Sequence, residues 1–190
     1  MKKKILIVGG AGYVGGVIVD LLLKNKNYDV TVFDNLLYED SYRKNCTFIN
    51  GDIRDKNFYK PQLNKYDVIV WLAALVGDGA CAINPNLTDQ INFQTLKKLC
   101  KTYKKRIIFI STCSVYGAQN GILNEKSSVN PLSHYASSKL KCEEILKNKN
   151  SIIFRLGTLF GISDNFSRIR MDLVVNTLSA KAFFEKKKSV

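Results

Sequence analysis

A chain of 190 residues, 46% of them hydrophobic, suits one buried core of ordinary size. Its net charge of +13 invites an anionic partner. The lysines, however, are scattered over helix positions and termini (Lys2 to Lys4, Lys97-Lys98, Lys101, Lys104-Lys105, Lys147, Lys149, Lys186 to Lys188), with no aromatic–basic stripe. They read as solvated faces, so nucleic acid is not the expected partner, while mild attraction for an anionic small substrate fits. Five cysteines without a C-x-x-C exclude a zinc site and a disulfide framework, and no other metal-ligand set is expected. No apolar stretch approaches the ~20 residues needed to cross a bilayer. The apolar run after Lys4 ends at Gly9, too short for a signal peptide, so reduced thiols in the cytoplasm are the expectation.

In chain order, Ile5 to Val8 reads as a buried strand. It runs into Gly9, Gly12 and Gly15, spaced three apart, and then into a helical pattern at Val14, Val17, Ile18, Leu21 and Leu22. Strand, glycine turn and helix in this order form a pyrophosphate cradle. Gly9 serves the turn, Gly12 the close approach to phosphate, and Gly15 the packing of helix on strand. A second strand, Val30 to Phe33, ends at Asp34, 19 residues after Gly15. A carboxylate there accepts from both hydroxyls of an adenosine ribose and repels a 2′-phosphate. The first cations beyond it, Arg43 and Lys44, come nine or more residues later, which favours NAD over NADP.

Residues 34–45 read as a loop and Cys46 to Asn50 as a short strand. Asp52 then has two readings, an adenine acceptor beside the Ile53 backbone or a cap for a helix starting near Lys56. Asp55 is read as that cap. Asp67 to Leu72 is a fourth strand opening into Ala73-Ala74, small residues that let the backbone pass close to a cofactor. A helix is expected over 86–104, with Asn92 inside it as a polar contact toward the next strand. Arg106 to Ile110 is a fifth strand ending at Ser111-Thr112. Residues 118–130 are polar and turn-rich. A helix is expected from Pro131 to about Leu146, followed by a sixth strand, Ser151 to Leu156. The alternation predicts an α/β fold: a Rossmann-type doubly wound parallel sheet with right-handed crossovers. Residues 1–160 form the NAD-binding domain. Residues 161–190 begin an incomplete substrate region, a loop and one amphipathic helix bearing Met171, Leu173, Val174, Leu178, Ala182 and Phe183.

Tyr135 and Lys139 lie four apart, on one helix face. A lysine ammonium one turn away favours the phenolate and suits Tyr135 as an acid/base near neutral pH. The carboxyl end of the fifth strand brings the Thr112 hydroxyl to the same edge. The candidate cofactor contacts are Gly9, Gly12, Tyr13, Val14, Gly15, Asp34, Asn35, Asp52, Ile53, Leu72, Ala73, Ala74, Tyr135 and Lys139. The candidate catalytic set is Thr112, Tyr135 and Lys139.

These motifs, with Gly51-Asp52-Ile53, Ser111-Thr112-Cys113-Ser114-Val115-Tyr116-Gly117 and Arg155 to Gly161, resemble the extended short-chain dehydrogenase/reductases, the NAD(P)-dependent epimerases and dehydratases of nucleotide sugars. The resemblance spans roughly residues 3–180. It implies that Tyr135 is the acid/base, Lys139 its electrostatic partner and ribose ligand, and Thr112 the hydroxyl of the triad. It also implies a nucleotide-sugar substrate and a homodimer through helices 86–104 and 131–147. Dehydratases of this kind carry Asp-Glu after the threonine, where this chain has Cys113-Ser114. The 3,5-epimerizing relatives place a catalytic Cys at the position of Ser114, and Cys113 reads as a small filler. Redox at one carbon, and C4 epimerization first, is what remains. A nucleotide-sugar reductase or dehydratase, an NAD-binding module without turnover and a nucleic-acid-binding relative are the alternatives. Family members usually run past 300 residues, so this chain is expected either to be a fragment or to be naturally short, and in both cases to bind NAD with little turnover.

Overall fold

The computed structural model describes residues 1–185. The apolar runs form six strands, β1 (Lys3–Val8), β2 (Tyr28–Asp34), β3 (Thr47–Asn50), β4 (Val68–Trp71), β5 (Arg106–Thr112) and β6 (Ser151–Leu156). They make one sheet in the order β3-β2-β1-β4-β5-β6, parallel at every pairing. The order reverses between β1 and β4, where Val8 pairs with Trp71. The connections leaving these two strands depart in opposite directions and open a crevice at their carboxyl ends.

Alternation along each strand feeds two cores. Leu6, Val8, Ile69, Trp71, Ile107 and Phe109 pack with Leu96, Leu99, Tyr103, Cys142 and Leu146 on one face. Ile5, Ile7, Val30, Val32, Val68 and Val70 pack with Val19 on the other, where helix α1 (Tyr13–Leu23) lies. Burial on both faces is why the central strands read as continuous apolar runs.

The helices differ from expectation in four places. The helix near Lys56 is a pair of 3-10 helices, Lys56–Tyr59 and Pro61–Lys65, and Asp55 caps the first by accepting from the Asn57 N–H at 2.8 Å. A short helix α2 (Asp78–Ile83) follows β4 unforeseen. The stretch expected as helix 86–104 divides into α3 (Pro85–Asp89), a π-helical turn (Gln90–Gln94) and α4 (Thr95–Thr102). Helix α5 (His134–Leu146) begins after Pro131, because the Ser133 hydroxyl caps it by accepting from the Ala136 N–H at 3.1 Å. The last helix, α6 (Val174–Glu185), forms but starts after Met171 and Leu173 and buries no residue. Lys186 to Lys188 lie outside the described residues.

Candidate functional site

At the end of β1 the chain turns on Gly9, whose φ of +84° favours glycine. A Cβ there would lie 2.5 Å from the Ala73 amide nitrogen. The turn is pressed against the segment after β4, where the Leu72 and Ala73 N–H groups both donate to the Val8 carbonyl, at 2.8 and 2.9 Å. A Cβ on Gly15 would meet the Gly9 carbonyl oxygen at 2.5 Å, so Gly15 packs the helix on the turn itself rather than on the strand. Gly12 differs. A Cβ there meets only the Gly9 oxygen, at 3.5 Å, so the protein leaves the space outside Gly12 open. Helix α1 starts at that opening without a capping side chain or an acidic residue in its first turn. Its positive end is left for an anion, which is the fit a pyrophosphate requires. Tyr13 and Val14, both partly buried, stand at this helix start.

Asp34 ends β2 beside the turn. Its carboxylate accepts from the Ala11 N–H at 3.0 Å and the Leu36 N–H at 2.9 Å, and keeps acceptor capacity on both oxygens. Asn35 is exposed next to it, its Oδ1 accepting from the Leu37 N–H at 3.3 Å. The two nearby cations are engaged elsewhere: Arg43 with the Ser41 hydroxyl at 3.0 Å, and Lys44 with the Asp20 carboxylate at 2.7 Å and the Gly16 carbonyl at 2.6 Å. Asp52 is gripped by the Arg54 guanidinium at 2.6–3.0 Å, a contact that holds its carboxyl below the usual range. It forms a turn with the Arg54 N–H at 2.7 Å and caps no helix. Ile53 is buried, and its carbonyl accepts from the Tyr59 hydroxyl at 2.6 Å.

Tyr135 and Lys139 are on the first turns of α5, the lysine fully buried at 3% exposure. Its ammonium donates to the Ile110 carbonyl at 2.8 Å and lies 4.8 Å from the Phe109 ring centroid and 5.8 Å from that of Tyr135. Burial pulls the lysine down to about 8. Burial also pushes the Tyr135 phenol up to about 12, against the charge of Arg170. In the protein alone the phenol therefore moves opposite to the expectation from a neighbouring lysine. Desolvation outweighs a cation that is turned to a backbone carbonyl. Thr112 ends β5, 8% exposed, its hydroxyl donating to Ser114 Oγ at 3.1 Å and accepting from the Ser114 N–H at 3.2 Å. Cys113 is exposed beside it, and all five cysteines are free thiols.

The scan of protein families matches residues 5–187 to the NAD dependent epimerase/dehydratase family. The chain belongs to that family. It is 32% identical over 163 residues to a UDP-glucose 4-epimerase of Yersinia enterocolitica, covering 76% of this chain and 48% of that one. It is 30% identical over 173 residues to a dTDP-D-glucose 4,6-dehydratase of Dictyostelium discoideum, covering 77% of this chain and 40% of that one. Among solved structures it resembles a UDP-glucuronic acid 4-epimerase of Bacillus cereus crystallised with UDP-glucuronic acid and NAD. That likeness has a TM-score of 0.81 at 27% identity, over 97% of this chain and 64% of the other. The chain thus spans about half the length of these curated relatives.

Two side chains of this family member's site have partners that its sequence did not show. Asn92, 2% exposed on the π-helical turn, does not reach a strand. Its side chain accepts from the Leu75 N–H at 2.8 Å and donates to the Leu75 carbonyl at 3.0 Å and to Ser138 Oγ at 3.1 Å. The Ser138 hydroxyl donates to the Tyr135 carbonyl at 2.7 Å, so Asn92 stitches the segment after Ala73-Ala74 to the helix of Tyr135. Arg155 forms a fork on Glu143 at 2.6–3.1 Å, and Glu143 also accepts from the Ser111 hydroxyl at 2.5 Å. That ion pair locks β6, α5 and the residue before Thr112 together. No helix among the described residues is long and apolar enough to cross a membrane.

Proposed function

We propose that the chain is the NAD-binding and catalytic part of a nucleotide-sugar oxidoreductase/isomerase, acting first as a C4 epimerase. One arrangement carries this reading. The open space at Gly12 and the Asp34 carboxylate mark one end of a cofactor track along the sheet's carboxyl edge. Thr112, at the end of β5, and the half-buried Tyr135 with the buried Lys139 of α5 mark the other. NAD, when bound, takes and returns a hydride at one sugar carbon. Thr112 donates a hydrogen bond to the reacting hydroxyl oxygen. Tyr135 removes that hydroxyl's proton as a 4-keto sugar forms and returns it after the sugar has turned over. Lys139 keeps a positive charge below pH of about 8 under the phenol and toward the ribose. The phenol, raised by burial, needs that charge together with the positive nicotinamide to work near neutral pH. Gly9, Gly12, Tyr13, Val14 and Gly15 hold the pyrophosphate, Asp34 and Asn35 the ribose, Asp52 and Ile53 the adenine edge, and Leu72 to Ala74 the middle of the cofactor. Cys113 and Ser114 offer no carboxylate pair for dehydration.

The experiment is incubation of the chain with NAD and a panel of UDP-, GDP- and dTDP-sugars, read as epimer, NADH or neither, with Tyr135→Phe as control. Epimer lost by at least about 10²-fold in Tyr135→Phe, with NAD binding kept, supports the reading. NADH accumulating without epimer makes it a dehydrogenase. NAD binding without turnover is the second reading, favoured by α6, which buries no residue on the substrate side. The cytoplasm is the proposed compartment, supported by the free thiols. Homodimerization through α4 and α5 is also part of the proposal. Their exposed Lys97, Lys98, Lys101, Lys141 and Lys147 make it weaken at low salt.

A further inference from the structure

Residues 161–170 run back over the glycine turn and engage it through side chains. Ser167, buried, places its hydroxyl 3.3 Å from both the Ala11 and Gly12 carbonyl oxygens. The Ser163 hydroxyl donates to the Tyr13 carbonyl at 2.5 Å, and the Tyr13 hydroxyl donates back to the Gly161 carbonyl at 2.6 Å. Lys44 donates to the Gly16 carbonyl and pairs with both Asp20 and Asp164, its own side chain 4% and that of Asp164 3% exposed. Asp164 in turn accepts from the Ser167 N–H at 2.8 Å. Further out, the Arg168 N–H donates to Glu39 at 2.6 Å. Gly16 is what admits the segment: a Cβ there would lie 2.5 Å from Ser167 Oγ and 2.6 Å from the Asp164 carboxylate.

The carbonyls of Tyr13 and Gly16 are thus each held by a donor of their own from outside the turn, while those of Ala11 and Gly12 share the single proton of the Ser167 hydroxyl. A planar trans peptide points its N–H opposite to its carbonyl. Holding the carbonyls of Ala11, Gly12 and Tyr13 therefore fixes the N–H groups of Gly12, Tyr13 and Val14, at the open start of α1.

We propose that Gly161–Arg170 is a strap that sets the cofactor turn from behind, with Ser167 and Lys44 as positioning residues, so that strap docking and NAD binding are coupled. This rests on the reading that the turn holds the pyrophosphate of NAD. Coupling of this kind is reciprocal. Bound NAD should hold the strap down, and a loosened strap should weaken NAD.

The test uses the 190-residue chain, with NAD titrated by calorimetry and tryptic cuts at Arg168 and Arg170 timed by mass spectrometry. Saturating NAD is expected to slow both cuts several-fold. Ser167→Ala should weaken NAD about five- to tenfold, the loss of one ordinary hydrogen bond. Gly16→Ala should weaken it in the same direction although alanine is the better helix former. A merely structural role would move the melting temperature and leave NAD affinity alone. Affinities of both variants within about twofold of wild type, or equal cutting with and without NAD, overturn the inference while the cofactor reading stands. A wild-type chain that does not bind NAD overturns both.

Discussion

The half of the molecule proposed for the cofactor and the half proposed for the substrate are built to different standards of closure. On the cofactor side, Gly9, Gly15 and Gly16 each sit where a single added carbon would collide with neighbouring atoms. Lys139 and Asn92 are fully buried and hydrogen-bonded there. On the substrate side, Phe160, Ile162, Met171, Val174, Phe183 and Phe184 stand exposed. A pyrophosphate cradle is made of backbone, so one strand, one turn and one helix complete it. A sugar pocket is made of side chains from several segments, and exposed apolar residues mark a surface suited to further contacts.

The largest expected effect breaks the closed half. In Gly9→Ala a side chain would be forced into a φ of +84° against backbone atoms of Ala73, which cannot swing aside as a side chain can. A loss of about 3–5 kcal/mol is expected, read as a collapse of the denaturant midpoint and of NAD binding together. A variant that keeps wild-type stability would show the turn to be as loose as the substrate side.

Why the two halves were unequally legible follows from the range of the contacts. The β1 turn, its three glycines and Asp34 form a local pattern with fixed spacing, and so do Tyr135 and Lys139. The central strands could be read because burial on both faces leaves unbroken apolar runs, and the edge strands β3 and β6, which are partly exposed, because short apolar stretches remain in them. The π-helical turn at Gln90–Gln94 could not, since apolar periodicity continues through it and only the buried Asn92 marks it. Contacts such as Tyr13 with Gly161 join residues far apart in the chain, and no spacing rule encodes them. The sequence also points to the wrong sign for the Tyr135 shift, because desolvation depends on what surrounds the ring. The capping of α5 by Ser133 rather than from Pro131 is decided by one hydroxyl that the pattern had treated as part of the helix.

A middle-sized effect sharpens the comparison at Lys139. Its folded value, about 8, lies below the ordinary 10.5. Between those values the unfolded chain binds the extra proton, so this lysine makes stability rise with pH, by at most about 1.4 kcal/mol per unit. The buried thiols of Cys81, Cys100 and Cys142, raised by desolvation, act in the opposite direction above the ordinary thiol range. Cys100 is unaffected by Lys139→Met and cancels in the difference, whereas Cys81 and Cys142 lose the lowering influence of the Lys139 charge in the variant, which adds to the gain of wild type over it. Denaturant unfolding of both proteins from pH 7 to 10 should show wild type gaining on the variant as pH rises above about 8. Parallel curves would mean that Lys139 is solvated and that the closed half is open at its catalytic end.

The smallest effect is expected on the substrate side, where α6 buries no residue and Phe183 and Phe184 are 77% and 80% exposed. The two rings touch each other edge to face, with centroids 5.1 Å apart, and little else is lost when they are removed. Phe183→Ser with Phe184→Ser should change stability by no more than about 0.5 kcal/mol, because exposed apolar area is not withdrawn from water on folding. The same double variant should bind less of a hydrophobic dye and precipitate less on concentration. A drop of several degrees in melting temperature would instead mean that these rings are packed in solution. The substrate half would then be closed by contacts of its own, and the difference between the halves would be one of composition rather than of completeness.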